Sequence, residues 1–328
     1  MHVFLTGGTG LLGSHLAEEL RSTGDEVVAL CRPGADTLFL EELGCTVVEG
    51  DVRDEPEALA PLMEGCTHLV HGAALVYTDG SWPQIRAVNV DGTRNVLTAA
   101  AQADVGLALH VSSVAVYGPS DGPVDEDTPL DTDLAATDLY ARSKREAEEV
   151  ARGIEDVQGL RVAVARPCAV YGERDRLMSP ALARIARLPV VPLMGRGNNA
   201  IPAVYAGNVA GALRRMLEDG RGGTTYDVGS DHPLTQRGLL ECLSRGLGVR
   251  ATFVSIPAGV IRGGASLLDW FGAHAPDAKH LSISRVVSLA LGENPYQSRR
   301  LRDELGWDPT HTHEEALERT GRWLANQA

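Results

Sequence analysis

The first half of the chain alternates short apolar runs with amphipathic stretches. Apolar runs of strand length lie at residues 2–6, 26–30, 46–49, 68–71, 108–112 and 161–165. Positions with helical spacing lie at residues 11–23, 56–63, 82–103 and 139–153. This alternation predicts an α/β fold in which a doubly wound parallel sheet carries helices on both faces.

The pattern changes after residue 167. Helical stretches at 179–188, 206–218, 236–246, 259–271 and 313–327 are interleaved with short strands. We therefore predict a sheet domain from residues 1–170 plus roughly 200–228. Residues 171–199 and 229–328 are assigned to a smaller, mixed α/β C-terminal lobe that would bind the substrate. Thr312 and Glu315 have the spacing of a capping box, which predicts the start of the last helix.

A glycine-rich turn follows the first apolar run directly. Residues 7–13 fit G-x-G-x-x-G through Gly8, Gly10 and Gly13, and G-x-x-G-x-x-G when Gly7 replaces Gly8. Glycines at these positions let the backbone turn sharply and approach a pyrophosphate, whose charge then lies at the helix N-terminus. A tight strand-to-helix turn without a ligand is the alternative. The position of the turn between a strand and a helix favours a dinucleotide site.

One of the two lysines of the chain stands four residues after a tyrosine, as Tyr140 and Lys144, whereas the other 28 basic side chains are arginine. Residues four apart share one face of a helix. An ammonium lowers the pKa of a neighbouring phenol, and a phenol with a lowered pKa is a usable general acid or base. An ordinary surface pair is the alternative interpretation.

Composition and charge exclude several classes of partner and of protein. The net charge of −14 disfavours nucleic acid and anionic membranes as partners. Five scattered cysteines without a C-x-x-C pair indicate reduced thiols, and no apolar run approaches 18 residues. We expect a cytoplasmic enzyme. His311 and His313 raise the question of a metal, but a solvated helix start is the better explanation, and no metal is expected.

The ordered motifs resemble the extended short-chain dehydrogenase/reductase family over essentially the whole chain. The resemblance depends on the stretches 6–13, 51–52, 71–74, 89–93, 112–118, 140–144, 166–172, 305–309 and 319–324. It implies a Rossmann sheet and hydride transfer, with Ser113, Tyr140 and Lys144 as catalytic residues. It also implies a dinucleotide site formed by Gly7, Thr9, Gly10, Leu11, Leu12, Gly13, Arg32, Asp51, Val52, Ala73, Ala74, Asn89, Tyr140, Lys144 and Pro167. Family members often dimerise through a helix pair, so a homodimer is possible.

The end of the second strand bears on the choice of cofactor. An acidic residue there would accept the ribose hydroxyls of NAD, but this chain has Cys31 followed by Arg32. A guanidinium suits a 2′-phosphate, so we predict NADP(H), with NAD possible. Arg32 could instead point into solvent. Asn89 either orients cofactor or a water, or caps the backbone at the Gly92 turn.

The substrate side favours a reductase. Nucleotide-sugar members of the family usually carry an asparagine before Val-Tyr-Gly and a later arginine, whereas this chain has Ala169 and the segment 198–205 without arginine. Arg174, Arg176 and Arg196 could still supply contacts to a phosphate. We therefore predict an NADP(H)-dependent oxidoreductase that interconverts a ketone and a secondary alcohol, closest to the dihydroflavonol-reductase and 3β-hydroxysteroid-dehydrogenase branch. A nucleotide-sugar epimerase or dehydratase with tightly held NAD is the first alternative. A non-catalytic dinucleotide-sensing protein is the second.

Overall fold

A computed structural model describes residues 1–76, 80–118, 123–130, 133–229, 232–257 and 296–327. Its strands are β1 His2–Thr6, β2 Glu26–Cys31, β3 Thr46–Glu49, β4 His68–His71, β5 Leu107–Val111, β6 Val162–Pro167, β7 Ala169–Tyr171, β8 Val191–Met194, β9 Ala203–Tyr205, β10 Thr225–Val228 and β11 Phe253–Ile256. Its α-helices are α1 Leu11–Ser22, α2 Leu38–Glu42, α3 Pro56–Leu59, α4 Trp82–Arg86, α5 Gly92–Gln102, α6 Leu139–Gln158, α7 Met178–Ala186, α8 Ala206–Asp219, α9 Gln236–Gly246, α10 Arg299–Leu305 and α11 His313–Asn326.

Seven strands form one parallel sheet in the order β3-β2-β1-β4-β5-β6-β10. Successive residues Val3, Phe4 and Leu5 of β1 are all buried, although neighbouring side chains point to opposite faces of a sheet. Both faces are therefore covered. The predicted doubly wound sheet is confirmed, and its strand order reverses beside β1, which is where such sheets bind ligands.

Helices cover the sheet because each presents an apolar stripe. Leu16, Ala17 and Leu20 of α1 are fully buried, and α1 packs against α8. On the face that Phe4 occupies, α5 and α6 pack together over the β4–β6 strands, with Val96 among the core residues. This double cover leaves the loops at the carboxyl ends of the strands to form the site.

The described residues divide into two units by their contacts. The first comprises the described residues within 1–170, 206–229 and 296–310, and the second comprises those within 171–205, 230–295 and 311–328. In the second unit, α9 packs on α11, and β8 pairs in parallel with β11. A Cβ added to Gly246 would lie 2.3 Å from the Glu318 carbonyl oxygen, so only glycine permits this helix crossing. The sequence-based domain bounds remain a prediction.

Most predicted elements lie within a few residues of the observed ones. The stretch 82–103 is not one continuous α-helix, because Ala87–Asp91 form a π-helical turn between α4 and α5. The stretch 56–63 ends as a 3₁₀ turn, Ala60–Met63. The capping box of α11 is confirmed, with Thr312 Oγ1 accepting from the Glu315 backbone N–H. The predicted helix 259–271 lies outside the described residues.

The sequence pattern did not identify β10 as the seventh strand of the sheet. Its four residues include the fully buried Asp227, so no apolar run marks it. In the part of the chain that the structure describes, no helix combines the length and apolarity needed to cross a bilayer.

Candidate active site

The β1–α1 turn brings its glycine backbone against the β4 loop. Gly7 has φ +79°, and a Cβ there would lie 2.8 Å from the Ala73 nitrogen. A Cβ on Gly13 would lie 2.2 Å from the Gly7 carbonyl oxygen. Gly10 caps α1 without a side chain, and the first turn carries no acidic residue. The first N–H groups of α1 therefore have the arrangement that binds an anion.

The other predicted residues of this turn, and those of the loop after β4, are half-buried. Thr9 precedes the Gly10 cap and is half-buried, while Leu11 and Leu12 open α1 and are also half-buried. Ala73 and Ala74 follow β4 and are half-buried, and the Ala73 N–H donates to Thr6 Oγ1 over 3.2 Å. The end of β1, the turn and the β4 loop are thus held together by backbone contacts and one threonine hydroxyl.

Two arginines lie at the carboxyl ends of β2 and β3. Cys31 is buried and Arg32 is exposed. Asp51 accepts two hydrogen bonds from Arg53, from Nε over 2.9 Å and from Nη2 over 2.8 Å. These bonds lower the pKa of Asp51, although burial opposes the shift, and the nearby charge of Arg32 lowers the pKa further. Sequence reasoning missed Arg53, although its i+2 spacing from Asp51 was visible.

Ser113 lies two residues after the end of β5. The residue follows the strand end in extended conformation, with φ −165° and ψ 150°, and caps a 3₁₀ turn at Val114–Tyr117. Ser113 Oγ accepts a hydrogen bond from the Ala115 N–H over 3.2 Å. That bond fixes the hydroxyl oxygen at the carboxyl edge of the sheet, where α/β folds present ligand-facing groups.

Helix α6 carries Tyr140 and Lys144 one turn apart. Its N-cap is Asp138, whose carboxylate accepts from the Ala141 N–H over 3.1 Å, and its C-cap is Gly159 in left-handed conformation. Lys144 is 3% exposed, and its Nζ donates to the Val111 carbonyl oxygen over 2.7 Å. Burial lowers the pKa of Lys144 to about 8, against the opposing charge of Glu148. The ammonium thus ties α6 to β5 two residues before Ser113.

Asn89 lies inside the π turn and is 1% exposed. Its Oδ1 accepts from the Leu75 N–H over 2.7 Å, and its Nδ2 donates to the Leu75 carbonyl and to Ser143 Oγ. Ser143 Oγ donates in turn to the Tyr140 carbonyl oxygen over 2.8 Å. The amide therefore connects the loop after Ala74 with the helix that carries Tyr140.

A buried histidine extends this connection to β1. Thr93 Oγ1 donates to the Asn89 carbonyl oxygen, so it accepts from His71 Nε2 at 3.0 Å. The Thr6 hydroxyl then donates to His71 Nδ1 at 2.8 Å. Burial, with a smaller effect of the Lys144 charge, lowers the pKa of His71 to about 3, which agrees with a neutral ring.

The second unit holds a separate aromatic and histidine cluster. Tyr171 OH and His313 Nδ1 are 2.8 Å apart. Tyr205 OH donates to Glu173 Oε2 over 3.0 Å, and Arg319 donates to the other oxygen of the same carboxylate. Among the described residues, no group of three histidine, cysteine or acidic side chains is arranged to hold a metal ion.

Comparison with known proteins identifies the family of the chain. The model of the NAD dependent epimerase/dehydratase family matches residues 3–229. A ketoreductase of Stigmatella aurantiaca that acts on 4-hydroxy-2-methyl-3-oxo-4-farnesyl-3,4-dihydroquinoline-1-oxide is 29% identical, over 97% of this chain and 95% of its own. Sterol demethylase protein B of Methylococcus capsulatus is 30% identical, over 95% of each chain.

A solved structure extends the similarity to the nucleotide-sugar enzymes. The dTDP-glucose 4,6-dehydratase DesIV of Streptomyces venezuelae, crystallised with NAD and TYD bound, superposes with a TM-score of 0.75 at 26% sequence identity. The superposition covers 99% of this chain and 97% of the other. The similar proteins therefore include both a ketoreductase and a dehydratase.

Proposed function

Because the chain belongs to the NAD-dependent epimerase/dehydratase family, whose members are NAD(P)-dependent extended short-chain dehydrogenase/reductase enzymes, we propose that it reduces a ketone to a secondary alcohol, reversibly, on a small organic substrate. The observation that carries this proposal is the Lys144–Val111 hydrogen bond. It ties the helix of Tyr140 to the strand end that presents Ser113.

Each of the three residues has a chemical role in this proposal. A reduced dinucleotide, held at the β1–α1 turn, would supply a hydride for the carbonyl carbon. Tyr140 donates a proton to the carbonyl oxygen, and Ser113 stabilises the charge on that oxygen by a hydrogen bond. Lys144, protonated below its pKa of about 8, would stabilise the Tyr140 phenolate that proton transfer leaves and would bind ribose hydroxyls. The half-buried position of Tyr140 suits a group that must meet a substrate.

The substrate side supports reduction over sugar-nucleotide chemistry. Ala169 stands where nucleotide-sugar enzymes usually have an asparagine, and residues 198–205 lack the arginine. Within the second unit, the Arg319 guanidinium lies over the ring of Tyr205, the last residue of that segment, but it already donates to Glu173. A diphosphate would lack the donors that these two positions usually supply and would depend on Arg174, Arg176 or Arg196, whereas an uncharged ketone needs no such donor.

The test is turnover by the purified protein with cyclic and sterol-like 3-ketones, followed as oxidation of the reduced dinucleotide. Tyr140→Phe should lower kcat at least a hundredfold with little change in dinucleotide affinity, because only the proton donor is lost. Tyr226→Phe, which removes the hydroxyl of a buried tyrosine outside the proposed catalytic set, is the control. Protein that carries stoichiometric NAD and gives no net redox turnover would contradict the proposal and favour the epimerase alternative.

The preference for NADP(H) depends on Arg32 and Arg53. Both guanidinium groups lie near Asp51, and no carboxylate follows β2 to select the ribose hydroxyls of NAD. Because Arg32 is exposed, its contact with a 2′-phosphate is worth about a tenfold change in affinity. Arg32→Ala should weaken NADP(H) by that factor and leave NAD(H) unchanged in a titration. Arg94→Ala, which changes an exposed arginine of α5, is the control. Tighter binding of NAD than of NADP by the wild type would refute the preference.

A further inference from the structure

Helix α6 contacts the end of β5 at two consecutive residues. Lys144 donates to the Val111 carbonyl, and Glu148, one turn further along the helix, accepts from Ser112 Oγ over 2.6 Å. Ser113 is the next residue of the chain. Two side chains of one helix face therefore hold the two residues that precede the proposed catalytic serine.

The Glu148 carboxylate is completely buried and carries several further hydrogen bonds. Arg166 of β6 donates from Nε to Oε1 over 2.9 Å and from Nη2 to Oε2 over 2.6 Å. Arg152 donates to Oε2 over 3.1 Å and is half-exposed. Bidentate guanidinium bonds fix both the position and the charge of a carboxylate. Glu148 is therefore a rigid negative charge in the interior of the domain.

The same network reaches a second carboxylate. Arg166 Nη1 donates to Tyr117 OH over 2.7 Å, and that hydroxyl lies 2.9 Å from both carboxylate oxygens of Asp227. Tyr117 closes the 3₁₀ turn that Ser113 caps. The turn after Ser113 is thus anchored at its far end by the chain of bonds that begins at Glu148.

The titratable groups that interact with Lys144 lie on three elements. Glu148 on α6 is the acidic group that raises the pKa of Lys144, against the effect of burial. His71 on β4 and His110 on β5 also interact with the Lys144 charge, and burial lowers the pKa of both imidazoles, so both are neutral. Glu148 is therefore the group whose removal would change the protonation of Lys144.

We propose that Glu148 is a positioning residue for the Ser113, Tyr140 and Lys144 set, because it holds the β5 end through Ser112 and places a negative charge one helical turn from the Lys144 ammonium. This inference rests on the proposed hydride-transfer function. The Glu148 carboxylate would then set both the position of Ser113 and the charge state of Lys144.

The first test is Glu148→Gln, which keeps the shape and one oxygen acceptor for Ser112 but removes the charge. The alkaline loss of kcat, which follows the loss of the Lys144 proton, should begin about one pH unit lower than in the wild type. Ser112→Ala keeps the charge and removes the hydroxyl, so kcat should fall about tenfold without a shift of the profile. Glu149→Gln removes the same charge from the exposed neighbouring position and should shift nothing.

A second variant keeps the inference testable if Glu148→Gln does not fold. Arg152→Gln changes a half-exposed side chain and leaves the Glu148 charge less neutralised, so the alkaline loss should move to higher pH by a few tenths of a unit. The pH dependence of dinucleotide affinity should move in the same direction in each variant, because Lys144 is proposed to bind the ribose. That readout needs no substrate, so it distinguishes this inference from the choice of ketone. Unchanged profiles in both variants would overturn it and leave the network a purely structural role.

Discussion

The turn between β1 and α1 allows one substitution to be worked out in detail. In Gly13→Ala the new Cβ would lie 2.2 Å from the Gly7 carbonyl oxygen, 2.7 Å from the Gly7 carbonyl carbon and 2.8 Å from Gly8 Cα. An ordinary carbon–oxygen contact is about 3.3 Å or longer. The start of α1 and the turn must therefore separate by about 1 Å. All three atoms belong to the backbone, so no side chain can move aside to relieve the contact.

The turn has no free space in which to retreat. Gly7 already approaches the β4 loop so closely that a Cβ on it would lie 2.8 Å from the Ala73 nitrogen. Overpacking of this kind costs about 1–3 kcal/mol in the free energy of unfolding. A displacement of about 1 Å at the helix N-terminus should also weaken dinucleotide binding by tenfold or more, since the phosphate contacts depend on that geometry.

Chemical denaturation and a dinucleotide titration measure the two effects of Gly13→Ala. Gly153→Ala is the matched control, because Gly153 lies in the interior of α6 and a Cβ there meets nothing within 4 Å. The control should stabilise the protein by about 0.5–1 kcal/mol through its higher helix propensity and leave affinity unchanged. If Gly13→Ala unfolds at the wild-type midpoint and binds the dinucleotide normally, the start of α1 does not pack against the Gly7 backbone as closely as the structure shows.

Two further predictions concern stability. Burial raises the pKa of Asp227 from 3.8 to about 7, so the folded state binds this proton more tightly than the unfolded state does. The free energy of unfolding should therefore fall by up to about 4 kcal/mol as pH rises from about 4 to about 7. Denaturation of Asp227→Asn over that range should lack this part of the slope, and an identical slope would contradict the shift. Thr312→Ala removes the N-cap of α11 and should lower the free energy of unfolding by about 1 kcal/mol, which thermal unfolding would detect. Thr310→Ala, two residues earlier and outside the capping box, is the control and should lower it much less.

Sequence reasoning succeeded where the physical cause was local. The glycine turn, the strand before it and the helix after it follow from backbone geometry within about 20 residues, and the structure has all three. The pair Tyr140 and Lys144 was visible for the same reason, because helical spacing is a local property. Their roles in catalysis remain a proposal.

The rest depends on contacts between distant parts of the chain. Strand β10 pairs with β6, about 60 residues earlier, and a buried aspartate interrupts its apolar pattern. Glu148 showed a spacing of four residues from Lys144, but its bonds to Arg166 and Ser112 become visible only when α6, β5 and β6 are packed together. Patterns of hydrophobicity do not encode buried polar partners, since such residues violate the pattern.

The π turn at Ala87–Asp91 has a consequence for how this chain can vary over evolution. A π turn amounts to one residue inserted into an α-helix, and one residue corresponds to a rotation of about 100°. Ile85 before the turn and Val96 after it are both buried, and the inserted residue sets their relative orientation. Deleting a single residue here would turn one of these faces toward solvent and move Asn89 away from Leu75. Length changes that surface loops tolerate are therefore costly within this helix, and a descendant that lost the insertion would need compensating changes on both sides of it.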